Sequence, residues 1–266
     1  MNPRALQGQA LLRGAAIVAL ALAAWEAASR LGWLSPFSFP PPSRVAEGFM
    51  ELATIGFPDG IRLAQHLVVT VTRIVEGFIV AMVLAIPLGL LIGRTPVLDR
   101  LLAPIVVFAR SIATLSLLPL AIVWFGIGEG SKIFLIGYAC FWVMLSNTIA
   151  AAKYVDPILL RAARTMDIAG LRLFFRILLP ATLPRLLAGA RVALGVGFMV
   201  IVGAEMIATV RGLGALIMEA RNFYRTDISL VGMAALGLLG VVLTTGLAAL
   251  EARLLPWQRG LEGVRR

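Results

Sequence analysis

The chain has 266 residues, 60% of them hydrophobic and 14% charged. A soluble globular domain carries roughly 45–50% apolar and about 25% charged residues, so a water-soluble fold is excluded. The 24 Lys and Arg outweigh 14 Asp and Glu for a formal charge of +10. These cations lie between hydrophobic runs and are not gathered on one polar face, which argues against a nucleic-acid partner and for a lipid bilayer.

A helical crossing of the bilayer needs about 20 apolar residues. Six stretches qualify, at 11–28, 67–93, 101–125, 132–152, 182–208 and 228–250. The expected fold is therefore an all-α integral membrane protein with about six transmembrane helices. A short N-terminal segment, 1–10, precedes the first of them. That first stretch reads as an uncleaved anchor, because Trp25 and Glu26 occupy the place where a signal peptide has small residues. A loop over 29–66 follows, stiffened by Pro36, Pro40, Pro41 and Pro42, with a mixed stretch from Val45 to Leu52 that predicts a short interfacial helix.

The remaining spans make one core over 67–250. In the second stretch Arg73 and Glu76 are spaced to pair on one helix face. Gly89-x-x-x-Gly93 matches a close-packing motif, read either as a dimer contact or as chance. The third stretch carries Arg110, Pro104 and Pro119 and is expected to be a single span, kinked or split. A basic tail, 251–266, ends the chain. With an even number of crossings, segments on the side of the termini hold fourteen Lys and Arg and the opposite segments seven. The positive-inside rule then places both termini in the cytoplasm.

The loop over 153–181 is the most informative segment. Asp156-Pro157 is a helix start, with a carboxylate to cap free N–H groups and a ring pre-set for the first helical position. A short helix is expected from Pro157, with a turn near Asp167–Gly170. A second short helix is expected to run to Leu179, where Pro180 and Pro184 break the pattern. The result is a helix–turn–helix elbow carrying Arg161, Arg164, Arg172 and Arg176.

Arg161-Ala162-Ala163, three residues, Asp167, nine residues and Ile177-Leu178-Leu179-Pro180 resemble the Glu-Ala-Ala-x3-Gly-x9-Ile-x-Leu-Pro loop of type I ABC importer permeases. Arg161 stands where that pattern has Glu and Asp167 where it has Gly. Further family-like stretches are 39–45, 70–78, 118–132, 179–184, 188–191 and 204–208. They point to the branch importing nitrate, sulfonates, taurine and related small molecules. At Arg110-Ser111-Ile112-Ala113 the branch usually has prolines after the arginine. The resemblance implies a homodimer in a bacterial cytoplasmic (inner) membrane. It also implies two cytoplasmic ABC ATPase subunits docked on the elbow and a solute delivered by an external or periplasmic substrate-binding protein. ATP and Mg would sit on the partner ATPase, with no cofactor on this chain. The docking residues it implies are Arg161, Ala162, Ala163, Arg164 and Asp167, with Gly170 as the turn.

Charges within the spans should face protein, water or an interface. Arg110, Arg191 and Glu205 are candidates for the substrate path, with packing or snorkelling as the alternative for the two arginines. One cysteine, Cys140, and one histidine, His66, exclude an intrachain disulfide and a two-histidine zinc motif and are expected to be inert. No Gly-x4-Gly-Lys-Ser/Thr motif is present, so ATP hydrolysis is not expected of this chain. The competing reading is a self-contained secondary transporter or channel, which would show internal repeats or a relay of intramembrane carboxylates.

Overall fold

The computed structural model describes residues 3–255, and every regular element among them is helical. The first helix, α1 (Pro3–Arg30), covers the first expected crossing. The Glu26 carboxylate near its end accepts bonds from the Ser43 backbone N–H and hydroxyl at 3.1 and 2.9 Å. That contact seats α2 (Pro42–Thr54), the expected interfacial helix, which starts on a proline whose fixed φ suits a first turn.

A long helix, α3 (Leu63–Arg94), is followed by α4 (Pro96–Ser111), a tight turn at Thr114–Leu117, and α5 (Leu118–Phe125). The path bends by 84° between α4 and α5, so the third expected span is broken. The break falls at Ile112–Ala113, whose backbone is extended, and not at Pro104 or Pro119. Next come α6 (Glu129–Lys153), α7 (Pro157–Thr165) and α8 (Gly170–Leu173), which runs through a wide π-type turn at Phe174–Leu178 into α9 (Leu179–Ala208). Two more helices, α10 (Leu213–Asn222) and α11 (Thr226–Leu254), complete the described chain. Of the expected basic tail, 256–266 lies outside the described residues.

Among the described residues four helical segments are long and apolar enough to cross a membrane, or five if the bent pair is one span. One of them runs unbroken from Gly170 to Ile207 over 38 residues. The expected second short helix of the elbow is therefore corrected, since it is the first part of a span. Pro180 follows directly on the π-type turn, where the wider ladder accommodates a ring and a missing N–H. Pro184 continues the helix.

At the centre lies α6, with α3 on one side and α9 on another, around Ile74, Ile136, Cys140, Met144, Leu186 and Ile201. Small residues allow the close approach. A Cβ on Gly89 would lie 2.5 Å from Thr148, and one on Gly93 would lie 2.6 Å from the Ile149 carbonyl. The Gly89/Gly93 motif is thus spent on packing α3 against α6 inside the chain, which corrects its reading as a dimer contact. A second cluster, including Leu52, Leu213, Leu216 and Ile228, binds α2, α10 and α11 together. Across it Arg225 joins Glu51 at 2.6 Å and Asp227 at 2.9 Å.

Candidate functional site

The elbow begins as the sequence predicts. Asp156 Oδ1 accepts the Ile158 N–H at 2.8 Å, capping α7. At its end Ile168 N–H returns to the Ala163 carbonyl at 2.9 Å. The chain then reverses through two left-handed residues, Asp167 at φ +54° and Gly170 at φ +59°. Asp tolerates that region better than most side chains, so Asp167 performs the turn for which the family pattern has glycine. The departure from the pattern falls on a left-handed residue, a conformation that glycine adopts without steric cost.

The elbow's two alanines point in different directions. Ala162 is exposed, whereas Ala163 is 1% exposed and packed within the chain. Arg161 and Asp167 are exposed, Gly170 opens α8, and the Arg164 side chain lies outside the described residues. Beside them Ile158, Leu159, Met166, Leu171 and Phe175 are exposed too, giving the elbow an apolar surface flanked by Arg161 and Arg172. At the same end of the bundle Lys153 pairs with Asp99 at 2.7 Å, and the Arg185 guanidinium lies 4.6 Å over the Tyr154 ring.

The three candidate path residues have separate partners. Arg110 is exposed and lines a groove of about 220 Å³ with Asp99, Ser146 and Ile149. Arg191, half-exposed on α9, pairs with Glu251 of α11. Glu205 is fully buried in a charge network at the bundle end opposite the elbow. Among the described residues no hydrogen bond or ion pair joins any two of the three.

That network draws together α3, α6, α9 and the start of α10. Glu205 accepts from Arg73 Nη1 at 2.7 Å, from the Thr70 hydroxyl at 2.9 Å and from the Gly214 N–H at 2.9 Å. Thr70 Oγ1 in turn accepts the Leu213 N–H at 2.9 Å, so two free N–H groups of α10 are met by α3 and α9. Arg73 turns its other edge to Glu129, through Nε at 2.5 Å and Nη2 at 2.6 Å, and gives Nη1 also to the Arg211 carbonyl at 2.8 Å. The expected Arg73–Glu76 pair is replaced by these longer-range partners. Gly212 is required here, because its φ is +126° and a Cβ would lie 2.4 Å from the Glu205 carboxylate.

His66 closes the same corner. Its Nδ1 lies 2.9 Å from the Gly212 carbonyl and its Nε2 3.1 Å from the Phe57 carbonyl, and each carbonyl can only accept the ring proton. With the proton on Nδ1 the ring donates to the Gly212 carbonyl, and with it on Nε2 the Nδ1 lone pair accepts the Gly212 N–H at 3.2 Å, so either tautomer ties α3 to Gly212. The reading of His66 as chemically inert leaves out this clamp between α3 and the segment before α10. The sequence signal for the corner was the Thr70 and Arg73 spacing, three apart on one face of α3; their partner in α9 is remote in sequence.

A bundle of apolar helices, one of them broken, with an exposed basic and apolar elbow at one end and a buried ionic corner at the other, defines a multi-span membrane protein. The sequence pattern of the binding-protein-dependent transport system inner membrane component family matches residues 85–260, and the chain belongs to that family. It is 38% identical over 243 residues to the taurine transport system permease protein TauC of Escherichia coli (strain K12), covering 90% of this chain and 87% of the relative. To the putative aliphatic sulfonates transport permease protein SsuC of the same organism it is 35% identical, over 89% and 88% of the two chains. In fold it is similar to a chain of the MetNI methionine ABC transporter in an inward-facing conformation. That match has a TM-score of 0.63 and 20% identity, over 72% of this chain and 95% of the other. The expected all-helical ABC permease fold is borne out.

Proposed function

We propose that this chain is the membrane subunit of an ATP-driven importer for taurine, a related sulfonate, nitrate or a similar small molecule. Two copies form the translocation path, two ATPase subunits dock on the elbows, and a binding protein delivers the solute to the opposite end. ATP and Mg belong to the ATPase. The substrate class comes from the taurine and sulfonate permeases to which the chain is similar over most of its length. Elbow and termini face the cytoplasm in this reading, as the two-to-one cationic bias favours.

The observation that carries the proposal is mechanical. The elbow is capped at Asp156, turned at Asp167 and Gly170, and its second arm is the same helix as a membrane span. An apolar surface on such an arm suits a partner that closes and opens, because displacement of the arm passes into the bundle without a flexible linker. Mild-detergent purification of the tagged chain from its native membrane tests this, with co-purifying proteins identified by mass spectrometry. An ABC ATPase in roughly equal amount is expected. A chain that comes out alone and moves solute in liposomes without ATP would establish the self-contained transporter instead.

A further inference from the structure

Arg73 is held by two carboxylates that differ in kind. Glu205 is 0% exposed and receives bonds from Thr70, Arg73 and the Gly214 backbone, so it is a fixed part of the fold. The Glu129 side chain is 60% exposed, and its hydrogen bonds among the described residues run to Arg73 alone. It sits on the first turn of α6, and the approach to it has room, since a Cβ on Gly126 or Gly128 would meet nothing within 4 Å.

Three residues on, Lys132 shares that face of α6 and is only 3% exposed, with no carboxylate at ion-pair distance among the described residues. A buried ammonium without a carboxylate of its own is costly and draws an anion. With Glu129 in place the corner holds two cations, Arg73 and Lys132, and two carboxylates, Glu129 and Glu205. With Glu129 swung out it carries one net positive charge. The guanidinium edge then vacated, Nε with Nη2, has the planar fork that receives two oxygens of one anion.

We infer that the Arg73–Lys132 corner is a binding site for a monovalent oxyanion headgroup, a sulfonate above all, and that Glu129 occupies it as an internal stand-in. The inference rests on the importer reading for the choice of sulfonate. An anion arriving at this end displaces Glu129, which frees the start of α6 from α3 while Glu205 keeps α10 in position. The site therefore selects for anionic headgroups as it opens.

The full-length chain in lipid nanodiscs, titrated calorimetrically with ethanesulfonate, tests this. Glu129→Gln is expected to raise the affinity at least tenfold over the original chain, and Glu129→Gln with Lys132→Gln to return it to the starting value. Glu47→Gln removes the same charge from exposed α2 and is expected to gain nothing. No gain in Glu129→Gln, an equal gain in Glu47→Gln, or a gain that survives loss of Lys132 would each overturn the inference. Should the Gln variant fail to insert, Glu129→Ala serves, with the same gain expected and its absence equally fatal. Uptake of ethanesulfonate by the original chain with its ATPase and binding protein is read separately. If uptake fails while Glu129→Gln gains the anion, the substrate reading falls and the oxyanion site stands.

Discussion

Replacing Glu205 by Gln changes one atom in a fully buried corner, and the structure sets its cost. Both carboxylate oxygens accept: one takes Arg73 Nη1 at 2.7 Å, the other the Gly214 N–H at 2.9 Å, and the Thr70 hydroxyl lies 2.9 Å from each. An amide presents one oxygen and one NH2, so whichever way it is turned a donor meets a donor. A hydrogen bond to a charged group contributes about 1.5–3 kcal/mol, and a buried donor left without an acceptor costs about 1–3 kcal/mol more. The expected loss is therefore about 3 kcal/mol, a factor on the order of a hundred in the open population. Cys140 is the chain's one cysteine, free and 0% exposed between α6 and α9, so a thiol-reactive dye reports opening directly. Where reclosing outruns labelling, the labelling rate follows the open population. Glu205→Gln is expected to label about a hundredfold faster, and Glu129→Gln, whose carboxylate is 60% exposed, only a few-fold faster. Labelling of Glu205→Gln within threefold of the original rate would refute the assignment of Glu205 as the fixed partner.

On the elbow, Ala162→Glu places a charge on an exposed position and is expected to leave insertion intact while abolishing ATPase co-purification. Ala163→Glu buries the same charge and is expected to deplete the folded chain itself, seen as aggregation in size-exclusion chromatography. Asp167→Gly should be neutral, whereas Asp167→Val forces a branched side chain to a positive φ at about 1–2 kcal/mol and should speed tryptic cleavage at Arg161 and Arg172. Arg191→Gln breaks a half-exposed pair and should alter Cys140 labelling by no more than about 1 kcal/mol equivalent.

Much of the architecture is local and was legible for that reason. Long apolar runs mark the spans, Asp156-Pro157 marks the elbow's start, and the prolines before Ser43 mark the entrance to α2. Where prolines were read as helix breakers, at Pro180 and Pro184, the reading failed because a π-type turn and the surrounding bundle absorb them. Charge pairing failed similarly. Glu76 is the near neighbour of Arg73, but its partners are Glu129 and Glu205, one 56 and the other 132 residues away, brought there by the packing of α6 and α9 on α3. Ala162 and Ala163 are indistinguishable by residue type, and only the seat of α7 on the bundle separates an outward methyl from an inward one. The short buried helix α10 has no span-length signal at all. Its position follows from Gly212 and Glu205 just before it and from Thr70, which is 143 residues from Leu213.

The helix from Gly170 to Ile207 begins in the elbow and carries Glu205 close to its other end. At about 1.5 Å per residue those two points stand some 50 Å apart, well beyond the roughly 30 Å of a hydrocarbon core. A rod of that length, pivoting near its middle, moves each tip about 2 Å for every 5° of tilt. Hydrogen bonds of 2.7–2.9 Å around Glu205 do not survive such an excursion unless α3 and α10 travel with it. The ionic corner thus works as a ratchet tooth at the end of a crowbar: a small tilt is absorbed as strain, and a larger one makes α9 either drag its neighbours along or let go of them in one step.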